Sequence, residues 1–394
     1  MNAKVVSWHR IRQGACDVTH PGDEFSSELF ASLRRSDQRL RARQYLSGLL
    51  AAEGRKSIRN IAALAGGAAA EQSLHHFISS STWDWSPIRE ALAAHVTRVL
   101  APRAWVVRPL FIPKAGEHSV GVERQFAPEL AQVVNGQLAF GAWAAAEGAS
   151  VPVQWRLHLP ESWLGDARRR RRAEIPDSAE AETPDECATV TALTALGHWA
   201  VPKRPVVLDA HVTSLGGVIR PFVEAQVPLL TRVKGSTLLV VADRAMPGYR
   251  AGAVPARHIM ESVQGLRRPS TAAGGPVRHT TLAAAVRVRL PRPGSGPELL
   301  LIGEWHEGGK APVTLWLAAP ATAPVGDLVR LTRLAQQVAQ DEKRIGEQVG
   351  VRDFEGRSFR GWHRHMTLAS VAHAVSALAD EPGQLRLRAP RLSA

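Results

Sequence analysis

Two hydrophobic rhythms divide the chain. Across residues 28–100, apolar residues recur at three- and four-residue intervals in RARQYLSGLLAAEG, KSIRNIAALAGG, EQSLHHFISS and WSPIREALAAHVTRVL, the spacing of one helix face. Ser57, Ser81 and Ser86 stand where N-caps are needed, and Gly54, Gly66 and Gly67 where helices stop. The segment therefore predicts a bundle of four or five short helices. Past Pro102 the runs become β-rich: WVVRPLFI, GQLAFGAWAAA, VPVQWRLHL, RPVVLDA, PLLTRVKGS, TLAAAVRVRL, ELLLIGEW and VTLWLAA, with the helical TPDECATVTALTALGHWA between two of them. Strands interspersed with helices and closed by a helix predict a mixed α/β sheet. The Pro-, Gly- and Arg-rich run 244–277 reads as a surface loop or a partly mobile insertion, and there is no internal repeat.

The organisation that follows is α/β. An extension over 1–25 precedes a helical, helix-turn-helix-like domain over 26–101. A mixed-sheet domain spans 102–381 with an insertion around 244–325, and a basic tail covers 382–394. The length of 394 residues accommodates two or three such units.

Charge narrows the partner. Lys and Arg number 49 against 36 Asp and Glu, a net +13 that favours a polyanion, DNA before a membrane surface. Arg55, Lys56 and Arg59 cluster at one helix junction, as a DNA reader would have them, or as the solvated face of a plain bundle. Arg168, Arg169, Arg170, Arg171 and Arg172 form the densest positive run, either a phosphate-binding patch or a solvated loop. Cys16 and Cys187 are far apart with no CxxC, which points to a reducing, cytoplasmic setting and away from a zinc site. No apolar run reaches the roughly 18 residues of a membrane span, and a signal-peptide pattern is missing. GxSxG, HExxH, P-loop and strand-linked GxGxxG motifs are all missing, so the corresponding catalytic classes drop out.

Several longer stretches add a resemblance. RKSIRNIAALAGGAAAEQSLHHFISSSTWDW, KAGEHSVGVERQF, NGQLAFGAW, LPESW, RPVVLDAHV and DFEGRSFRGWHRHMTLASVAHA resemble, in order and spacing, the transposases of IS701-type insertion sequences in the DDE superfamily, over about residues 25–380. The resemblance implies an RNase H-like fold in which three carboxylates hold two Mg²⁺ or Mn²⁺ ions for phosphodiester cleavage. It also implies assembly as a dimer on DNA ends.

Residue by residue, the implied site is incomplete. Counting back from Lys114, Ala115 and Gly116 sets Arg108 and Pro109 where the first acidic pair belongs. Asp209, at the end of PVVLDA, stands at the second position, although it would also serve as a cap or turn residue. The third count falls on Ala339, with Glu342 three residues on, about 60° round the helix and about 4.5 Å along it, a poor substitute. Lys114, Arg124, Arg357, Arg360 and Arg364 lie in the best-matched motifs with His363 and His365, where they would either contact DNA or maintain the fold. A metal site of His118, His363 and His365 lacks the carboxylates to complete it.

The expectation is a DNA-binding protein of transposase descent without a metal cofactor, acting as a regulator, accessory or defence or recombination factor. The alternatives are an active DDE transposase with an unusual two-metal site, and a scaffold that binds protein partners.

Overall fold

The computed structural model describes residues 21–127, 131–270, 281–291 and 296–379. The expected tail and most of the expected N-terminal extension lie outside them. Five helices open the chain: α1 (Pro21–Leu29), α2 (Ser36–Ala51), α3 (Ile58–Ala65), α4 (Ala68–Ser79) and α5 (Ser86–Leu100). Ser57 caps α3 by accepting from the Asn60 N–H at 3.2 Å, and Gly66 (φ 121) and Gly67 (φ 72) make the tight turn into α4. Ser81 and Ser86 are not caps: α5 begins at Ser86 itself, whose N–H is taken by Asp84 Oδ1 at 2.9 Å.

The remainder follows as β1 (Ala104–Pro113), β2 (Glu123–Ala127), β3 (Gln132–Ala145), β4 (Ser150–Leu157), α6 (Glu161–Leu164), α7 (Ala167–Arg172), α8 (Pro184–His198), β5 (Val206–Leu208), α9 (Leu215–Glu224) and β6 (Leu229–Arg232). Then come β7 (Leu238–Val241), β8 (Ala253–Pro255), α10 (Ala256–Ser262), β9 (Arg268–Ser270), β10 (Thr281–Arg289), β11 (Leu299–Trp305), β12 (Thr314–Ala319), α11 (Val325–Asp341) and α12 (Phe359–Ala379). All eight β-rich runs read in the sequence contain strands. The run expected to be a loop from residue 244 instead carries β8, α10 and β9 in its described part, because Ile259 and Met260 find burial that an exposed loop would deny them.

One sheet joins the strands in the order β2-β3-β1-β5-β6-β12-β11-β10-β7-β8, with β4 on β3 and β9 on β10. Its first half, β4-β3-β1-β5-β6, has β1, β5 and β6 parallel and β3 antiparallel to β1, consistent with an RNase H-like fold. The later strands extend that sheet through antiparallel pairing of β12 with β6. α11 packs on β1, β3, β4 and β5, and α12 lies between β4 and the helices α2, α4 and α5. From Gly361 to Ala374 every residue of α12 is buried, so this helix belongs equally to the helical bundle and to the sheet. No helix among the described residues is long and apolar enough to cross a membrane.

Candidate functional site

The opening of the site is written into β1. On the edge facing β5, Trp105 donates to the Pro205 carbonyl at 2.9 Å and the Val107 carbonyl accepts from Asp209 at 2.8 Å. The next donor along that edge would be Pro109, which has no N–H, so the ladder ends there and the strands are free to part. The last paired rung is Val107, Leu208 and Thr231 across the three parallel strands. One residue further on stand Arg108, Asp209 and Arg232. Side chains alternate along a strand, so these three share the face opposite to that rung, at the carboxyl ends where α/β sheets place functional groups.

Their chemistry is an alternation of charge. Arg232 Nε meets Asp209 Oδ1 at 2.7 Å, and its guanidinium lies over the Trp316 ring at 5.2 Å. Arg108 Nε meets Glu342 Oε2 at 3.1 Å, and Arg352 Nη2 meets Glu342 Oε1 at 2.9 Å while its Nη1 donates to the Phe111 carbonyl at 3.2 Å. Burial pushes the Asp209 carboxyl above its usual range, against the pull of Arg232, Arg108 and His211. Burial, with Arg232 and Lys234, holds His211 below its usual value. Further along the same face Glu304 is also raised by burial, opposed by Thr332, Arg333 and Arg232.

The third expected position lies on α11. Ala339 is half-buried on α11, and the carboxylate that reaches Arg108 is that of Glu342. At Glu342 the α-helix gives way to a π-turn, Glu342–Gly346, so the spacing from Ala339 to Glu342 is still that of a regular α-helix. Glu342 reaches Arg108 because the end of α11 packs against β1, a contact that spacing along the helix does not show.

A pair of divalent ions does not fit these side chains. Two carboxylates, Asp209 and Glu342, face three guanidinium groups at 2.7–3.1 Å, so a metal would displace ion pairs and then sit among positive charges. No group of three or more His, Cys, Asp and Glu among the described residues could hold a metal ion. The three histidines considered as ligands are not available as a set. His363 Nδ1 lies 3.2 Å from Arg89 Nη2, His365 lies 2.9 Å from both the Tyr45 hydroxyl and the Gly350 carbonyl, and His118 is exposed.

The expected DNA-contacting cations separate into two groups. Arg364 is buried and donates to the carbonyls of Trp83 (3.2 Å), Ile78 (3.0 Å) and Ser81, so it ties α12 to the end of α4 and cannot meet DNA. Lys56 is also buried, its ammonium on the Ala52 carbonyl. Lys114 donates to the Phe354 carbonyl at 2.5 Å, with burial and then Arg55 bringing its pKa down to about 8. Arg55 pairs with Glu355 at 3.2 Å, although both ends remain exposed.

The arginine run is a short helix, α7, and not a loop, because Asp166 caps it by accepting from the N–H groups of Arg168 (2.8 Å) and Arg169 (3.0 Å). Within it Arg169 covers Trp163 and Arg170 holds three carbonyls, those of Pro176, Asp177 and Ala179. Arg59, Arg124, Arg168, Arg171, Arg172, Arg357 and Arg360 remain exposed.

Residues 28–285, more than half of the chain, match the family described as DDE superfamily endonuclease. The chain belongs to that family. The matched span contains Arg108 and Asp209 and ends before Glu342 and α12, so the third arm of the site rests on the geometry alone. No curated protein matches the chain.

Proposed function

We propose that this chain is a DNA-binding member of the DDE superfamily endonucleases, related to the IS701-type transposases, in which an arginine and carboxylate lattice stands in place of the two-metal centre. It then acts on DNA by binding, as a regulator, accessory or defence or recombination factor, and not by cutting. The observation that carries the reading is the ion pair of Arg108 with Glu342 at 3.1 Å. Arg108 places a guanidinium between the strands, in the space where a divalent ion would otherwise bring its charge.

The test is a strand-cleavage assay of the full chain on duplex DNA, with and without Mn²⁺ or Mg²⁺, beside a binding assay on the same duplex. Binding without metal-stimulated cleavage is expected. Calorimetry should show no Mn²⁺ uptake by the wild type and measurable uptake by Arg108→Asp, which restores a third carboxylate beside Asp209 and Glu342.

A second reading, an active nuclease with an unusual metal site, draws support from one observation. Asp209 and Glu342 both survive, where sequence counting left Asp209 alone. Mn²⁺-dependent cleavage by the wild type that disappears in Asp209→Ala would establish it and remove the first reading.

A further inference from the structure

We propose that α7 and the start of α12 together form a ridge that grips the phosphate backbone of duplex DNA, away from the Arg108 pocket. The proposal rests on the DNA-binding reading above and adds where the backbone is held.

The helix α7 is constructed to display charge. A turn made of five consecutive arginines is opposed by like-charge repulsion at three- and four-residue spacing. Its inner side is anchored by the Asp166 cap, the Arg169 contact with Trp163 at 5.4 Å and the three carbonyls gathered by Arg170. The other three arginines, Arg168, Arg171 and Arg172, fall at positions i, i+3 and i+4, so they share the outer face, and all three are exposed.

The next link is a single backbone bond. The Phe359 N–H donates to the Ala173 carbonyl at 2.7 Å, joining the end of α7 to the first residue of α12. Arg357 and Arg360, both exposed, flank that bond. None of these five arginines takes part in a side-chain ion pair among the described residues, whereas Arg287, Arg289, Arg330 and Arg344 on other elements all do. Asp166, Glu174 and Glu355 stand nearby in the chain, yet the five guanidinium groups are left outside any such ion pair, and together they make a site for an external polyanion.

The choice among polyanions follows from what the ridge lacks. Trp163 is buried beneath Arg169, and Phe359 is half-buried against Trp85 and His363. The ridge therefore presents guanidinium groups without an exposed ring on which an unpaired base would stack, which fits the outside of a duplex and not a single strand. The open groove between α3 and α4 ends at Gly356, next in the chain to Arg357, but Glu71 and Glu355 line it beside Arg59, so the phosphate contacts are assigned to the ridge and not to the groove.

The experiment is the binding of the full chain to a mixed-sequence DNA duplex, titrated between roughly 50 and 200 mM salt. Each phosphate contact contributes about 0.9 to the slope of log affinity against log salt, so Arg168→Ala, Arg171→Ala and Arg172→Ala combined should flatten it by about 2.7. Arg357→Ala with Arg360→Ala should flatten it by about 1.8. Arg287→Ala with Arg330→Ala, which removes two exposed arginines elsewhere, should leave the slope unchanged. Circular dichroism melts establish that each variant is folded.

If the wild type binds duplex with a steep salt dependence and the ridge variants keep that slope, the ridge proposal fails and the DNA-binding reading stands. The ridge proposal also fails if the wild type prefers anionic vesicles or single strands to the duplex. If the wild type binds no DNA at any salt, both fall.

Discussion

Arg108 is the residue on which the reading turns, and its role is set by what it touches. Removing one partner from a largely buried ion pair leaves the other charge without compensation, which is costlier than removing both. Arg108→Met should therefore destabilise by about 2 kcal/mol, moderated because Arg352 still holds Glu342. Adding Glu342→Gln should recover part of that loss, a coupling of about 1 kcal/mol in a double-mutant cycle read from urea melts. Additive losses would show that the two side chains meet without interacting. The absence of a carboxylate at 108 was legible in the sequence. What replaced it was not, because the partners Glu342 and Arg352 lie far along the chain and only the closed sheet brings them near. Arg364 makes the same point from the other side. In the sequence it is one more motif arginine, whereas in the fold it is a buried donor to backbone carbonyls.

At the scale of elements, α12 and the segment before it explain why the stretch DFEGRSFRGWHRH is so polar. Arg352 reaches β1 and Glu342, Asp353 accepts from the Lys56 N–H at 2.7 Å, the Phe354 carbonyl receives Lys114, and Glu355 meets Arg55. Gly350 (φ 71) turns the chain so that its carbonyl meets His365, a conformation that disfavours any residue with a Cβ. These are straps between the bundle and the sheet. The histidines of α12 make the assembly sensitive to acid. Burial brings His365 and His373 each down to about 4, and His363 lies well below its usual value by burial and then Arg89. Between about 4 and 6.5 the unfolded chain binds protons that the folded chain does not, so stability is complete above that window and falls as pH drops through it. For His365 and His373 the loss is on the order of 3 kcal/mol each at the acid end. Asp209 and Glu304, raised by burial, work in the opposite sense and make the slope shallower. Urea midpoints should decline from pH 7 to pH 5, and less steeply in His373→Leu. A midpoint that does not move with pH would remove the argument.

For the whole molecule, the shared helix decides cooperativity. The bundle of α1 to α5 buries its inner face partly against α12, to which it is tied by Arg364 and by Arg89, whose guanidinium bonds Thr367, Gln154 and the Trp155 and His363 carbonyls. The full chain should unfold in one transition, and a fragment of residues 21–101 should show little helix by circular dichroism, since short helices gain most of their stability from packing. A fragment that melts cooperatively on its own would instead make the bundle an autonomous domain. The switch from helices to strands near residue 101 was legible as a change of hydrophobic rhythm. The return of α12 into the bundle was not, because a helix buried on all sides has no amphipathic stripe to say which two neighbours it serves.

By itself the sequence determined the local elements, since periods of 3.6 and 2 are properties of neighbouring residues, and it determined the cation at position 108 and the proline that ends the ladder at 109. The tertiary structure alone decided which cations are spent inside the protein and which face outward, and by packing α11 on β1 it set Glu342 as the carboxylate opposite Arg108. The physical reason is the same in both cases. Burial and ion pairing depend on distances between residues remote in the chain, and those distances exist only once the sheet and α12 have closed.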